Sequence, residues 1–132
     1  MNSDIKALAR EKKFGEMETA VYADRSLVGQ LVERLAEKDG DVRTGVLNVL
    51  SRVGFDYPKD TRPYIDRLIA LMDEADPFVK IDAANAVGNL AYRYEDASSK
   101  AVPKLASLLG HEISLVRQEA AYALGNIGFS FI

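Results

Sequence analysis

The stretch DPFVKIDAANAVGNLA, Asp76 to Ala91, decides the fold of this chain because it recurs at a constant spacing. It returns 37 positions later as ISLVRQEAAYALGNIG, Ile113 to Gly128. A fainter form, DGDVRTGVLNVLSRVG, lies 37 positions earlier, at Asp39 to Gly54. A fixed period of this length is typical of proteins that stack one helical hairpin several times. The sequence therefore predicts an all-α tandem stack, and it contains no recognisable catalytic set.

The composition is that of an ordinary globular domain. The 132 residues are 48% hydrophobic and 28% charged, with a net charge of −3, which suits one domain with a real core. Proteins that bind nucleic acid usually have a net positive charge or a strongly basic surface, and this chain is slightly acidic. There is no cysteine, which excludes disulfides and thiolate metal sites. No apolar run approaches the ~20 residues of a membrane span, so we expect a cytoplasmic protein that contacts neither membrane nor nucleic acid.

Three repeat units follow a short N-terminal segment in the predicted architecture. Asp24, Thr61 and Ser98 recur at the period of 37, and each residue type can cap the first turn of a helix. The predicted boundaries are a cap over residues 1–23 and repeats over 24–60, 61–97 and 98–132. The cap is expected to cover the first repeat, which would otherwise expose its stacking face.

Each unit carries the same apolar pattern on two predicted helices. In the first helix, apolar residues three and four positions apart share one face. These residues are Val28, Leu31 and Leu35; Ile65, Leu68 and Met72; and Val102, Leu105 and Leu109. The second helix mixes large aliphatics with alanines, which let neighbouring hairpins approach closely. We expect Asp76 to cap the second helix of its repeat and Pro103 to lie near the start of the first helix of its repeat. Gly54 and Gly128 are expected to end the second helices of the first and third repeats in the left-handed conformation.

The repeats resemble HEAT repeats, in particular the bacterial and archaeal HEAT-like group that includes the bilin lyase accessory repeats. The second and third units match that family's D-P-x-V-R-x-x-A-A-x-A-L-G-x-L signature, whereas the first departs from it at residues 44–47. The resemblance covers Asp24 to the C-terminus. It implies an all-α fold, an α-α superhelix (HEAT-like solenoid) of three helical hairpins plus a short N-terminal helical cap, with the second helices lining the concave face.

In that family a turn aspartate often pairs with a basic residue of an adjacent repeat. The acidic column here is Asp39 and Asp76, and the basic column is Arg43, Lys80 and Arg117. The third turn has Ile113 at the acidic position, so the resemblance implies an incomplete ladder of structural ion pairs.

The candidate binding surface consists of second-helix residues that point away from the core. Positions i, i+3, i+7 and i+10 share a stripe, and stacking places the stripes of successive repeats side by side as columns. The partner-binding residues are Asn48, Arg52, Asp82, Asn85, Asn89, Tyr92, Glu119, Tyr122 and Asn126, in columns that Gly45, Phe55 and Phe129 complete. Asparagine is a mediocre helix former, so its recurrence has two interpretations. Either amides and aromatics recognise a protein or peptide, or the asparagines hydrogen-bond between repeats and hold the stack.

These features favour a protein–protein interaction scaffold without catalysis, cofactor or metal. Two alternatives stay open: an accessory subunit of a cofactor- or bilin-modifying lyase, and a degenerate relative of a HEAT-like metalloenzyme. A HEAT-like di-iron hydroxylase carries His-Glu pairs where this chain has Gln118-Glu119 and Ile81-Asp82. The single histidine, His111, lies in a turn, so one protomer cannot assemble a histidine-rich di-iron site. Asp82 and Glu119 are paired carboxylates, but no nucleophile, oxyanion hole or phosphate loop accompanies them.

The C-terminal residues 128–132, GFSFI, are apolar, although the end of a repeat stack is usually polar. A third unit counted from Ser98 would end at 134. Three explanations are open: the chain is part of a longer array, the tail folds back over the last hairpin, or two protomers meet there. The exposed apolar end favours a homo-dimer or a continuation of the array over a lone monomer.

Overall fold

The structure, a computed structural model, describes residues 4–131, with side chains described as far as residue 128. Over this range it contains nine α-helices and four single-turn 3₁₀ segments, and no strand. The helices are α1 (Ile5–Arg10), α2 (Phe14–Ala23), α3 (Val28–Glu33), α4 (Gly40–Asp56), α5 (Pro58–Thr61), α6 (Ile65–Ala70), α7 (Pro77–Ala91), α8 (Glu95–Leu108) and α9 (Ser114–Phe131). The 3₁₀ segments are Arg25–Leu27, Arg34–Ala36, Arg62–Tyr64 and Leu71–Asp73. The predicted all-α fold is confirmed.

Two short helices, α1 and α2, precede the first hairpin, in the segment where the sequence predicts a cap. The Asp4 carboxylate accepts a hydrogen bond from the Ala7 N–H at 3.1 Å, which starts α1. Leu8 of α1 is fully buried. Phe14 of α2 lies so close to Gly45 of α4 that a Cβ at Gly45 would overlap its ring. These two helices therefore cover one end of the stack.

Each hairpin joins a first-helix segment to a long second helix. Helix α3 with its 3₁₀ turns precedes α4, α5 and α6 precede α7, and α8 precedes α9. The second helices form one layer, because α4 packs against α7 and α7 against α9. The predicted cap at Asp76 is confirmed: its carboxylate accepts the Phe78 N–H at 2.9 Å. Asp39 accepts the Asp41 N–H at the same distance, one repeat earlier.

Two of the predicted helix starts are wrong. Asp24 accepts the Ser26 N–H and caps its segment, but the other two first helices begin earlier, at α5 and α8. The buried Thr61 and Ser98 hydroxyls donate to backbone carbonyls instead of accepting from a first turn, and Ser98 reaches the last carbonyl of α7 at 2.6 Å. A carbonyl at a helix end lacks an intrahelical partner, so the serine satisfies it. Because α8 begins early, Pro103 lies inside it rather than near its start.

The predicted glycine helix ends are also wrong. Helices α4 and α9 continue beyond Gly54 and Gly128, and none of the glycines within residues 4–131 has a positive φ. A Cβ at Gly54 would meet the Leu90 side chain of α7 at 3.8 Å. That is an ordinary van der Waals distance, so Gly54 lies inside α4 against the next repeat and does not end the helix.

The turn charges do not form the ladder that the family resemblance implies. Arg43 reaches the adjacent turn, but its partner is Glu74, at 3.5 Å, rather than a capping aspartate. Lys80 and Arg117 instead donate to backbone carbonyls, at 2.8 Å to Met72 and 2.7 Å to His111. Asp76 uses its carboxylate as the helix cap.

The apolar face of the third first helix is only partly buried. Leu105 is fully buried as predicted, whereas Val102 and Leu109 are exposed by 37% and 43%. Their equivalents one repeat earlier, Ile65 and Met72, are buried, because the third hairpin covers them. Nothing in the described range covers Val102 and Leu109 in the same way.

Small residues set the distance between the second helices. A Cβ on Gly88 of α7 would lie 2.8 Å from the Cβ of Ala123 on α9, closer than real Cβ contacts allow. Gly125, at the equivalent position one repeat later, would have no atom within 4 Å of an added Cβ. The two glycines occupy the same register position and differ only in whether a further hairpin faces them.

We predict that Gly88→Leu lowers the free energy of unfolding by about 1–3 kcal/mol, because the added side chain overpacks the α7–α9 contact. Gly125→Leu is the matched control. It should leave the free energy unchanged or raise it by up to about 1 kcal/mol, since leucine is the better helix former. Urea denaturation followed by circular dichroism measures both variants. Equal losses in the two would contradict this packing arrangement.

Candidate functional site on the second helices

The predicted binding residues all lie on or at the end of the second helices, but they differ in exposure. Three of them, Asn48, Arg52 and Tyr122, are exposed, and Tyr122 has 63% of its surface open to solvent. The other six are half-buried: Asp82, Asn85, Asn89, Tyr92, Glu119 and Asn126. Phe129, which completes one predicted column, lies outside the described side chains.

A hydrogen-bonded network links three of the half-buried residues to Ser51. The Asn89 amide donates to the Ser51 hydroxyl at 2.6 Å, and Ser51 in turn donates to the carbonyl of Asn85. The Asn85 amide donates to a Glu119 carboxylate oxygen at 2.8 Å. This asparagine network, consisting of Ser51, Asn85, Asn89 and Glu119, joins α4, α7 and α9. Its members hold neighbouring repeats together whether or not they also contact a partner.

Ser51 is a structural member of this surface that the sequence analysis did not select. It is buried and lies at the register position of Gly88 and Gly125. The sequence does mark this residue, because a serine replaces glycine at a repeat position where only a small side chain fits. A buried hydroxyl needs a partner, and asparagines on the adjacent helix supply it.

The exposed part of this surface contains a groove between the N-terminal halves of α4 and α7. Its volume is about 360 Å³, and it contains two predicted residues, Asn48 and Asp82. Phe78 also lines it, with 65% of its surface exposed. The remaining lining residues are Gly40, Asp41, Thr44 and Asp76. We call this feature the α4–α7 groove; Phe78 and Asp41 were not predicted as part of a site.

Asp82 has the most perturbed carboxylate in the groove. Partial burial, the nearby charge of Glu119 and that of Asp76 together raise the pKa of Asp82 to about 6 from an ordinary value of 3.8. Burial is the largest cause, because it disfavours the charged form. The groove therefore holds a carboxyl group that changes charge close to neutral pH.

A cationic and aromatic cluster lies at the C-terminal ends of α4 and α7. The Arg93 guanidinium stacks 4.8 Å from the ring centre of Phe55 and 5.2 Å from that of Tyr92. Its Nε also donates to the Tyr92 hydroxyl at 2.8 Å. Arg52 pairs with Glu18 of α2. The structure thus brings two of the predicted aromatics together through an arginine that the sequence reasoning had not selected.

The described residues contain no group of three or more His, Asp or Glu side chains placed to hold a metal ion. His111 Nδ1 accepts the Ile113 N–H at 3.1 Å within its own turn. Among the helices of residues 4–131, none has the length and apolarity needed to cross a lipid bilayer.

We predict that Ser51→Ala lowers the free energy of unfolding by about 1–2 kcal/mol. It removes the hydroxyl that the half-buried Asn89 amide donates to at 2.6 Å and leaves that amide only a 3.5 Å contact with the Asn85 carbonyl. Asn48→Ala, on the exposed side of the same helix, should change it by less than about 0.5 kcal/mol. Chemical denaturation measures both variants. If Ser51→Ala proved as harmless as Asn48→Ala, the network would not hold the stack.

A second prediction concerns pH. The raised pKa means that the folded chain binds a proton at Asp82 that the unfolded chain releases, so this group's contribution to stability falls as pH rises from about 4 to about 6. Asp82→Asn should therefore raise the free energy of unfolding at pH 7, by up to about 1 kcal/mol after solvent screening. Glu119→Gln should lower the pKa of Asp82. Urea denaturation at pH 7 measures the stability of Asp82→Asn, and a carbon-detected NMR titration measures the pKa of Asp82 in the wild type and in Glu119→Gln. An Asp82 with an ordinary pKa would contradict the arrangement.

The comparisons with known proteins agree with this architecture. Residues 65–129, about half of the chain, match the family model for HEAT repeats. No curated protein matches. One similar structure is an engineered protein from the Northeast Structural Genomics Consortium, with a TM-score of 0.76 and 25% identity over 96% of this chain and 58% of that one. A second engineered protein from that consortium has a TM-score of 0.72 and 29% identity, over 86% of this chain and 50% of that one.

A designed armadillo repeat protein, solved in complex with the peptide (KR)4, is also similar in fold. Its TM-score is 0.71 at 20% identity, over 85% of this chain and 51% of that one. This chain thus spans between half and three-fifths of the length of these three structures. The family match and the stacked helical hairpins together identify the chain as a HEAT repeat protein.

Proposed function

We propose that this chain is an interaction scaffold that binds a protein or peptide segment on its second-helix face, with the α4–α7 groove as the main binding site. The observation that carries the proposal is the groove itself, which places an exposed aromatic ring, Phe78, beside the exposed amide of Asn48 and the carboxylate of Asp82. Aromatic side chains, phenylalanine included, are enriched at protein interfaces relative to the rest of the surface.

The chemistry of the groove suits a segment that offers hydrogen-bond donors. Asp41, Asp76 and Asp82 are all acceptors when ionised, and the residues that line the groove include no Lys or Arg. Two of these carboxylates are already partly engaged, because Asp41 pairs with Lys12 at 3.4 Å and Asp76 caps α7. Asn48 both donates and accepts, so it can pair with an extended backbone. A nucleic acid backbone would meet negative charge here, which argues against that class of partner.

The second-helix face continues from the groove to the Arg93 cluster at the other end of the helices. Phe55 is half exposed there, beside the stacked guanidinium. Tyrosine and arginine are enriched at interface hot spots. A bound segment that spans both ends would meet carboxylates at one end and a cation with aromatic rings at the other.

The proposed mechanism is the presentation of a shaped surface, without catalysis, in the cytoplasm. The armadillo-type structure with its (KR)4 peptide shows the shared fold, and at 20% identity it shows no more than that. The choice of a protein or peptide partner therefore rests on this chain's own exposed groove.

The test compares a groove variant with a matched variant on the first helices. The groove variant carries Asn48→Ala and Asp82→Arg, and the control carries Gln30→Ala and Asp60→Arg at exposed positions. Each loses one amide and reverses one carboxylate. Immobilised wild-type chain is used to capture partners from an extract of the source cell, and the affinity of each captured protein is then measured with all three chains.

We predict that the groove variant loses at least about tenfold in affinity, equivalent to about 1.4 kcal/mol, while the control variant binds like wild type. Thermal melts must show that both variants remain folded. Undiminished binding by the groove variant, or a loss confined to the control, would refute the proposed surface.

A further inference from the structure

A pocket lies between the turn of the first hairpin and the turn of the second, and we call it the turn pocket. Its volume is about 230 Å³, and it shares no lining residue with the α4–α7 groove. Its charged lining consists of three basic residues and two glutamates, beside a small alanine. These residues are Lys38, Arg43, Arg67, Glu37, Glu74 and Ala36.

Arg43 of the turn pocket differs from its equivalents in the other two repeats. One and two periods later, Lys80 and Arg117 donate to backbone carbonyls of their own hairpins, at 2.8 and 2.7 Å. Within the described residues Arg43 has only the 3.5 Å ion pair with Glu74, and its Nε is buried without a partner. A guanidinium has five N–H donors. Most of those of Arg43 are therefore unused, although only 17% of its side chain is exposed.

Arg67 lacks a partner that its equivalent in the next repeat has. One period later, Lys104 pairs with Asp73 of the preceding repeat at 2.5 Å. The residue one period before Asp73 is Ala36, which lines the turn pocket together with Arg67. The first interface thus has a methyl group at the repeat position where the second has a carboxylate. Among residues 4–128, Arg67 forms no ion pair or hydrogen bond.

The two glutamates of the turn pocket do not supply the missing charge. Glu37 accepts a hydrogen bond from Arg34, which is outside the pocket lining, at 2.8 Å. Glu74 is already the partner of Arg43. Lys38 is exposed and has no ion pair within the described part of the chain. The pocket therefore contains two unpaired cations and a third with one long ion pair.

We propose that the turn pocket binds a carboxylate group between the guanidinium groups of Arg43 and Arg67, in the register that Asp73 occupies one repeat later. A planar guanidinium matches a carboxylate with two parallel N–H donors. The carboxylate can belong to a free organic acid or to an acidic side chain of a protein, because both present the same group. This site is independent of the binding function proposed for the α4–α7 groove.

The experiment titrates the whole chain with two carboxylate probes, succinate and an acetylated hexaglutamate peptide, at constant ionic strength. Inorganic phosphate is the comparison anion. Two-dimensional NMR of the ¹⁵N-labelled chain follows the backbone amides and the arginine Nε–Hε signals. We expect saturable shifts of the Arg43 and Arg67 side-chain signals and of the amides of both turns. Binding of succinate identifies a free acid as a sufficient ligand, whereas binding of the peptide alone identifies an acidic protein segment.

Ala36→Asp gives the first turn the residue that the second turn already has at this position. The new carboxylate should occupy the site from within and weaken probe binding at least about tenfold. Arg67→Gln should weaken it similarly, because it removes one of the two guanidinium groups. Ala106→Asp is the matched control, since it adds the same charge at an exposed position outside the pocket. It should change the affinity by less than about twofold, because salt screens distant charges.

Thermal melts establish that each variant remains folded. Equal weakening by Ala36→Asp and Ala106→Asp would overturn the proposal, because net charge alone would then explain the binding. So would an Arg67→Gln variant that binds like wild type, or the absence of saturable shifts at Arg43 and Arg67 with either carboxylate probe. Tighter binding of phosphate at the same signals would overturn the assignment of a carboxylate.

Discussion

The close approach of the second helices is the constraint on which the rest of the structure depends. It requires small side chains at fixed positions of the repeat. The closest contact between two second helices is that of Gly88 with Ala123. At this distance the large aliphatic residues of each hairpin are enclosed by their neighbours, and each such side chain contributes about 1.5–3 kcal/mol when fully buried. A hydrogen bond contributes about 0.5–1.5 kcal/mol net, so apolar stacking dominates the stability, and the asparagine network adds a smaller, directional contribution to the register.

This division of roles changes the interpretation of the polar columns. Asn85, Asn89 and Glu119 are linked through Ser51 across three helices, so part of the predicted binding surface is also structural. The residues of this surface whose side chains remain exposed include Asn48 and Tyr122. A partner that binds this face would therefore contact a surface whose central polar groups are already fixed in position, which lowers the entropic cost of association.

The architecture was predictable from the sequence because the residue types recur at one period, and residues at equivalent positions make equivalent contacts. The 37-residue repeat placed the second helices and the cap at Asp76 correctly. Helix starts at Thr61 and Ser98 were not predictable in the same way, because a buried hydroxyl and a capping hydroxyl look alike in sequence. The site was only partly predictable: the stripes located Asn48 and Asp82, but the groove also depends on Phe78, whose exposure follows from helix packing rather than from spacing.

Equal spacing of equivalent residues is the central claim for this HEAT repeat protein, and distances between spin labels test it most directly. The chain has no cysteine, so labels can be attached in pairs through Asp41→Cys, Phe78→Cys and Leu115→Cys, three exposed positions one period apart. Stacked second helices predict equal separations for the two neighbouring pairs, near the ~8–10 Å between packed helices allowing for label length, and about twice that separation for the outer pair. Unequal neighbouring distances, or an outer pair no farther apart than the others, would contradict the account.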